Sequence, residues 1–189
     1  VSAISIDAPT TFSVSRVVVL ANGVAEIMNS LNAKSLIVGR DISSTEKALE
    51  NVPLATSGHQ VLPEEVIALK PDLVIIDYVD LLSSRRKNVD RKYEIDDIYT
   101  STKGLARELN VPIWSVSQVN RAGAKDDVIE GDKAAGSYDK IMITDFCLSL
   151  SRKAKDKVNG TGRFHVMKNR YGMDGLTYGV KADTSTGHF

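Results

Sequence analysis

Four short apolar runs rich in β-branched residues occur along the chain, and segments with helical spacing separate them. The runs cover residues 16–21, 35–39, 72–77 and 111–117. A strand that is apolar throughout has to be covered on both faces, and helices between successive strands favour parallel crossover connections. The sequence therefore predicts an α/β fold, a three-layer Rossmann-like or P-loop-like domain with a mainly parallel sheet.

The C-terminal part has a different pattern. Residues 163–168 and 176–182 have strand character and flank a turn at 171–175, which predicts an antiparallel pair at the C-terminal end. The apolar run 140–150 predicts one more strand before that pair.

Two polar stretches predict irregular structure. Residues 83–97 are rich in charge and predict a solvated loop that leads into a helix over 98–109, whereas 153–162 predicts a turn. The chain has no low-complexity linker, so we expect one domain over residues 1–189.

Charge gives no general reason to expect a nucleic acid or membrane partner, because 24 basic residues balance 24 acidic ones. One basic cluster, over residues 85–92, is offset by nearby acids and has no aromatic stacking platform, which favours a solvated loop. No apolar stretch approaches the roughly 20 residues that cross a bilayer, and the first residues lack a signal-peptide pattern. We expect a cytoplasmic protein that requires no partner; a monomer is favoured, but the sequence leaves the oligomeric state open.

Residues 16–76 resemble the N-terminal lobe of periplasmic haem-binding proteins that serve ABC transporters, especially the actinobacterial kind. The matching motifs are Val38-Gly-Arg-Asp-Ile-Ser-Ser-Thr45, Gly58-His-Gln60 and Glu65-Val-Ile-Ala-Leu-Lys-Pro-Asp-Leu-Val74. The resemblance implies that His59 is an axial haem ligand, since a neutral imidazole can donate to iron. The alternative is a surface-loop histidine. The family's second ligand comes from a lobe that this chain lacks, so no cofactor is expected, with haem at His59 as the alternative.

Residues 72–189 resemble the second half of the RecA-type core of DnaB-type replicative helicases. The motifs are Leu73-Val-Ile-Ile-Asp77-Tyr78, Val116-Ser-Gln-Val-Asn-Arg121 after a helix, Ala134-Ala-Gly-Ser-Tyr-Asp139, and Val166-Met-Lys-Asn-Arg-Tyr-Gly172. They occur in the family's order over more than a hundred residues.

This second resemblance implies a role for four side chains. Asp77 would be the Walker B aspartate, which holds a Mg²⁺-bound water, and Gln118 would sense the γ-phosphate. Lys168 and Arg170 would reach a neighbouring subunit's nucleotide. The structural alternatives are a strand-end cap for Asp77, hydrogen bonds to loop backbone for Gln118, and solvated turn residues for Lys168 and Arg170.

The chain contains no GxxxxGK[ST] loop, and its turn after the first strand, Ala21-Asn-Gly23, is short and lacks a lysine. The glutamate that the family carries upstream of the Walker B strand is also missing. Phosphoryl transfer depends on such a loop for positioning and charge neutralisation. We therefore expect a chain that is not an enzyme, in which Asp77, Gln118, Lys168 and Arg170 are inactive remnants.

The run 72–77 fits both resemblances, as the last strand of the haem lobe and as the Walker B strand. A join there would preserve the hydrophobic pattern on both sides. These observations predict an engineered chimera of segments 1–76 and 77–189, made as a folding scaffold without physiological activity. Weak nucleotide binding, or a remnant of helicase-like ATPase activity, is the alternative.

Overall fold

Strands and helices alternate along most of the molecule. The computed structural model describes residues 13–58, 60–84, 90–118, 128 and 139–182. In chain order its elements are β1 (Val17–Leu20), α1 (Asn22–Ser30), β2 (Ile37–Arg40), β3 (Thr56–Ser57), β4 (Gln60–Val61), α2 (Pro63–Ala68), β5 (Leu73–Ile76), α3 (Arg91–Leu109), β6 (Ile113–Ser115), α4 (Asp139–Ile143), β7 (Phe146–Ser151), α5 (Ala154–Asn159), β8 (Thr161–Asn169) and β9 (Thr177–Lys181). Short 3-10 turns cover Lys34–Leu36, Lys47–Leu49 and Val79–Leu81.

Four of these strands form a parallel sheet in the order β2-β1-β5-β6. Strand β5 pairs with β1 from Val17↔Leu73 to Leu20↔Ile76, and with β6 from Val74↔Ile113 to Ile76↔Ser115. Because all four strands run in the same direction, the turns that follow β1, β5 and β6 lie at one edge of the sheet.

Both faces of this sheet are covered, as the continuous apolar runs require. On one face, Val18 and Leu20 of β1 pack with Val66 of α2 and Ile98 of α3. On the other face, the alternate residues Val17 and Val19 pack with Ala25 of α1 and with Leu49, among others. The predicted α/β class, with a mainly parallel sheet, is confirmed.

A second sheet is antiparallel and has the order β7-β8-β9. The predicted C-terminal pair corresponds to β8 and β9, whose register runs from Thr161↔Lys181 to His165↔Thr177. Strand β7 adds a third member, which pairs with β8 from Phe146↔Asn169 to Ser151↔Arg163.

Three predicted elements differ from the structure. The strand over 140–150 is wrong in its first part, because α4 occupies Asp139–Ile143 and β7 begins at Phe146. The loop over 83–97 is wrong in its second part, since α3 begins at Arg91. The Asp90 side chain caps that helix by accepting a hydrogen bond from the Lys92 N–H at 2.8 Å.

The polar stretch 153–162 was expected to form a turn but contains α5. The Asp156 carboxylate accepts from the Lys153 backbone N–H at 2.8 Å and so satisfies a donor at the start of the helix. Gly160 ends the helix in the left-handed conformation, with a φ of 61°. These capping residues stabilise a helix that has almost no apolar face.

Among the residues that the structure describes, no helix is both long and apolar enough to span a membrane.

Candidate functional site

The predicted Walker B aspartate, Asp77, directly follows β5. Its backbone N–H donates to the Leu20 carbonyl of β1 at 3.4 Å, so the parallel ladder extends to this residue. The side chain is exposed and makes no hydrogen bond or ion pair with the described part of the chain. Asp77 therefore places a carboxylate that is free to take a ligand at the carboxyl edge of the sheet, where open α/β sheets bind ligands.

Gln118 lies three residues beyond β6, at the same edge. Its amide Nε2 donates to the hydroxyl of Tyr78 at 3.4 Å. A second hydrogen bond runs from the backbone N–H of Val79 to the Ser115 Oγ at 3.1 Å. These two bonds connect the segment after β5 with the segment after β6, so the structure brings Asp77 and Gln118 into neighbouring positions.

Lys140 of α4 was not identified from the sequence, yet it joins the same two segments. Its side chain is 1% exposed, and its Nζ donates to the Asp80 Oδ1 at 3.0 Å and the Ser117 Oγ at 2.6 Å. Asp80 lies three residues after Asp77, and Ser117 directly precedes Gln118. No local signal could have found this residue, because its partners are 60 and 23 positions away in the chain.

Tyr99 of α3 completes this buried cluster. Its hydroxyl donates to the Asp80 Oδ2 at 3.2 Å, and its ring lies 5.7 Å from the Lys140 Nζ. Burial raises the pKa of Tyr99, and the negative charge of Asp80 raises it further. The phenol therefore remains protonated at neutral pH and can serve as a hydrogen-bond donor to Asp80.

Lys168, a predicted trans-acting residue, lies in β8 rather than in a solvated turn. Its Nζ donates to the carbonyl of Ile141 at 3.0 Å and to that of Met142. Burial lowers the pKa of Lys168, and the positive charge of Arg170 adds to this effect. Lys168 therefore holds the C-terminal end of α4, where carbonyl groups lack helical partners.

Arg170 follows β8 and contacts Asp145. Its Nε lies 3.1 Å from the Asp145 Oδ1, and its backbone N–H donates to the Asp145 carbonyl at 2.8 Å. Lys103 of α3 makes a short ion pair with the other oxygen of the same carboxylate. Burial lowers the pKa of Lys103, and the charges of Arg107, Arg170 and Lys168 lower it further, which indicates a local excess of positive charge.

The site residues thus form two groups. Asp77 and Gln118 share the sheet edge, whereas Lys168 and Arg170 lie beside α4 and Asp145. Within the described residues no direct contact joins the two groups, and no cluster of three or more His, Cys, Asp or Glu side chains could hold a metal ion. His59, the predicted haem ligand, lies outside the described residues, as does the first part of the basic cluster, residues 85–89.

Comparison with known proteins gives one family match. The model of the DnaB-like helicase C terminal domain matches residues 41–135, about half of the chain. The matched region includes β5, β6 and the sheet edge with Asp77 and Gln118. It also begins well before residue 72, inside the segment that resembles a haem-binding lobe.

Individual proteins that are similar to this chain are also replicative DNA helicases. The replicative DNA helicase DnaB of Mycobacterium intracellulare is 31% identical over 108 residues, which are 53% of this chain and 18% of that helicase. A solved DnaB-like replicative helicase, described with its interactions with primase, has a TM-score of 0.63 at 19% identity, over 88% of this chain and 41% of that one. The chain spans less than half of either protein, and the solved structure shows the fold alone.

Solved haem-binding proteins are also similar to part of this chain. The haem-binding protein HmuT is 30% identical, with a TM-score of 0.40, and the match covers 64% of this chain and 33% of that one. A structural likeness with a TM-score below 0.5 carries no argument about this chain. Haem binding at His59 and the join of two parents near residues 72–77 stay predictions.

One prediction is wrong. We expected a chain that is not an enzyme, but the family model and the relatives are helicases, which are enzymes. The expectation gave decisive weight to a single missing motif, the phosphate loop. The family match covers residues 41–135, a range that includes Asp77 and Gln118.

Proposed function

Because the chain belongs to the DnaB-like helicase C-terminal domain family, we propose that its sheet edge is the nucleotide site of an ATP-dependent DNA helicase motor. The observation that carries this proposal is the parallel pairing of β5 and β6, whose carboxyl ends are followed by Asp77 and Gln118 at the same edge of the sheet. A carboxylate at this edge can take part in holding Mg²⁺, and an amide on the adjacent segment can donate to the γ-phosphate of a bound triphosphate.

Asp77 fits a magnesium ion. Its carboxylate is a hard oxygen donor, exposed and without a competing partner among the described residues. A bound Mg²⁺ would neutralise charge on the phosphates, and Asp77 would hold it through one of its waters. Gln118, held by Tyr78 at 3.4 Å, would donate to a γ-phosphate oxygen from the adjacent strand end.

The N-terminus of α1 lies at the same edge, because α1 directly follows β1 and Leu20 of β1 is paired with Ile76. The first amides of a helix have no partner within the helix and attract anions. A Cβ added at Gly23 would meet no atom within 4 Å, so phosphate oxygens have room to approach the backbone there. We propose that the triphosphate lies between these amides and Asp77, in place of a GxxxxGK[ST] loop.

Lys168 and Arg170 are proposed to act on a nucleotide bound by a neighbouring subunit. The Arg170 side chain is 46% exposed and has Asp145 as its partner. Burial lowers the pKa of Lys103 most, and the positive charges of Arg107, Arg170 and Lys168 lower it further, so several basic groups lie close together near Asp145. Such a patch favours the approach of a phosphate, which presents the same oxygen geometry to arginine as Asp145 does.

Steady-state release of phosphate from Mg²⁺·ATP, with and without single-stranded DNA, tests the proposed function. We expect turnover that requires Mg²⁺ and increases with DNA. Because the site lacks a phosphate-loop lysine, we expect a KM of about 1 mM or higher, at the weak end of the range for enzymes. Chelation of Mg²⁺ is the control. If phosphate release at saturating Mg²⁺·ATP equals that of a sample without protein, in both the presence and the absence of DNA, the proposed hydrolysis is wrong.

Segments 1–76 and 77–189 are further proposed to form one domain. Strand β5 supports this, since its backbone is hydrogen-bonded to β1 on one side and to β6 on the other. Trp114, the one tryptophan of the chain, lies in β6 and reports on the back segment, while far-UV circular dichroism reports on all helices and strands.

We expect the two signals to give the same midpoint in a urea titration, because disruption of β5 removes a neighbour from both segments. The same titration with Val18→Ala should shift both midpoints equally, since Val18 is fully buried in β1. Two separate midpoints, or a shift of one signal alone, would show that the segments unfold independently.

A further inference from the structure

Lys140 is the most deeply buried charged side chain among the described residues, with 1% exposure. A buried ammonium group destabilises a protein unless its donors are matched by acceptors. Here the Asp80 carboxylate, the Ser117 hydroxyl and the Tyr99 ring surround the Nζ. If a partner were lost, the buried Lys140 ammonium group would keep fewer acceptors and become less stable. The position of Lys140 therefore depends on the positions of Asp80, Ser117 and Tyr99.

The partners of Lys140 lie directly next to the proposed nucleotide site. Asp80 belongs to the 3-10 turn Val79–Leu81 that begins two residues after Asp77, and Ser117 precedes Gln118. Lys140 touches neither Asp77 nor Gln118, so its effect has to be exerted through the backbone. Resting on the proposed function, we propose that Lys140 is a positioning residue that fixes the distance between Asp77 and Gln118.

The β5–β6 ladder ends at Ile76↔Ser115, before Asp77 and Gln118, and beyond it two further hydrogen bonds between described residues join the two segments. They are the Val79 N–H to Ser115 Oγ bond at 3.1 Å and the Gln118 to Tyr78 bond at 3.4 Å. Both are single hydrogen bonds between neutral groups, which contribute little to stability on their own. The Lys140 contacts involve ionised groups in the interior and are stronger.

Helix α4 also gives Lys140 a connection to the second group of site residues. The carbonyls of Ile141 and Met142, next in the chain, accept hydrogen bonds from Lys168. A displacement of α4 would therefore alter the sheet edge through Lys140 and the β8 end through Lys168. Helix α4 therefore connects the two groups of site residues through Lys140 and Lys168.

Lys140→Met tests the proposal, since methionine has a similar length but no charge or donor. The first measurement is amide hydrogen exchange, which does not depend on ATP hydrolysis. We expect exchange in residues 78–82 and 113–118 to increase about tenfold, as for a loss of about 1.4 kcal/mol of local stability. Exchange in β2, on the far side of the parallel sheet, should stay unchanged. Val66→Ala, which removes buried side-chain volume from α2, is the control for general destabilisation.

The second measurement is ATP turnover at a temperature where each variant is folded. We expect Lys140→Met to lower kcat about tenfold or more with KM changed less than about twofold, because misplaced groups affect the transition state rather than ground-state binding. Val66→Ala should keep both constants.

The outcomes separate the two proposals. Unchanged exchange in residues 78–82 and 113–118, or an unchanged kcat in an active protein, would overturn the role of Lys140. Absence of turnover in the unmodified chain together with increased exchange in Lys140→Met would overturn the proposed function and leave the positioning role supported.

Discussion

Asp77→Asn is expected to lower Mg²⁺-dependent ATP turnover by about 100-fold or more, the size of effect seen when one electrostatic group is removed from a catalytic site. Asparagine has nearly the same shape but no negative charge, so it holds a magnesium-bound water weakly. The Asp77 side chain is exposed and forms no described hydrogen bond, so the fold does not depend on its charge. The measurement is steady-state phosphate release over a range of Mg²⁺ concentrations.

Asp174→Asn is the matched control for this prediction. Asp174 is also an exposed aspartate after a strand, but it lies in the turn between β8 and β9. The same loss of one negative charge there should leave turnover unchanged. Urea unfolding of both variants should coincide with that of the unmodified chain. Equal turnover in Asp77→Asn and the unmodified protein would show that the sheet edge is not the site of hydrolysis.

The parallel sheet and the positions of Asp77 and Gln118 at its carboxyl edge could be predicted because their signals are local. The β5 sequence Leu73-Val-Ile-Ile-Asp77 is apolar until a charged residue ends it, and a run of this length and β-branched content is typical of a buried parallel strand. Once β5 and β6 are known to be parallel, Asp77 and Gln118 must lie at the same edge. Neither conclusion required knowledge of distant contacts.

The buried cluster around Lys140 could not be predicted, because its partners come from distant parts of the chain. In the sequence, Lys140 precedes the apolar run Ile141-Met-Ile and was assigned to a strand. Its burial depends on Asp80 and Ser117, which the fold brings to it from two other elements. A lysine alone favours the surface, and only the paired acceptors make the interior position stable.

Helix α5 was missed for another reason. Residues 154–159 have almost no apolar periodicity, and the prediction relied on that periodicity. The capping residues Asp156 and Gly160 were visible in the sequence and are a valid helix signal. These capping residues predict a helix here even though the apolar spacing does not.

Gly39→Val is expected to destabilise the domain by about 2 kcal/mol, as for other enlargements in a packed core. Gly39 is buried in β2, and a Cβ there would lie 2.5 Å from the Leu69 Cδ1 and 3.2 Å from the Val18 Cγ2. Leu69 can turn aside, but Val18 is fully buried in β1 and cannot. For a chain of this length we expect the melting temperature to fall by about 4–8 °C.

Gly179→Val is the control that separates the effect of packing on stability from the effect of valine's preference for strands. Gly179 also lies in a strand, β9, but a Cβ there would meet nothing within 4 Å. Valine favours strands over glycine, so this variant should melt at the same temperature as the unmodified protein or slightly above it. Both melting temperatures are measured by circular dichroism under identical conditions. Equal changes in the melting temperatures of the two variants would show that the close approach of β2 to Leu69 and Val18 is not a packing constraint. The same side chain would then destabilise the protein no more in the interior than on the open strand.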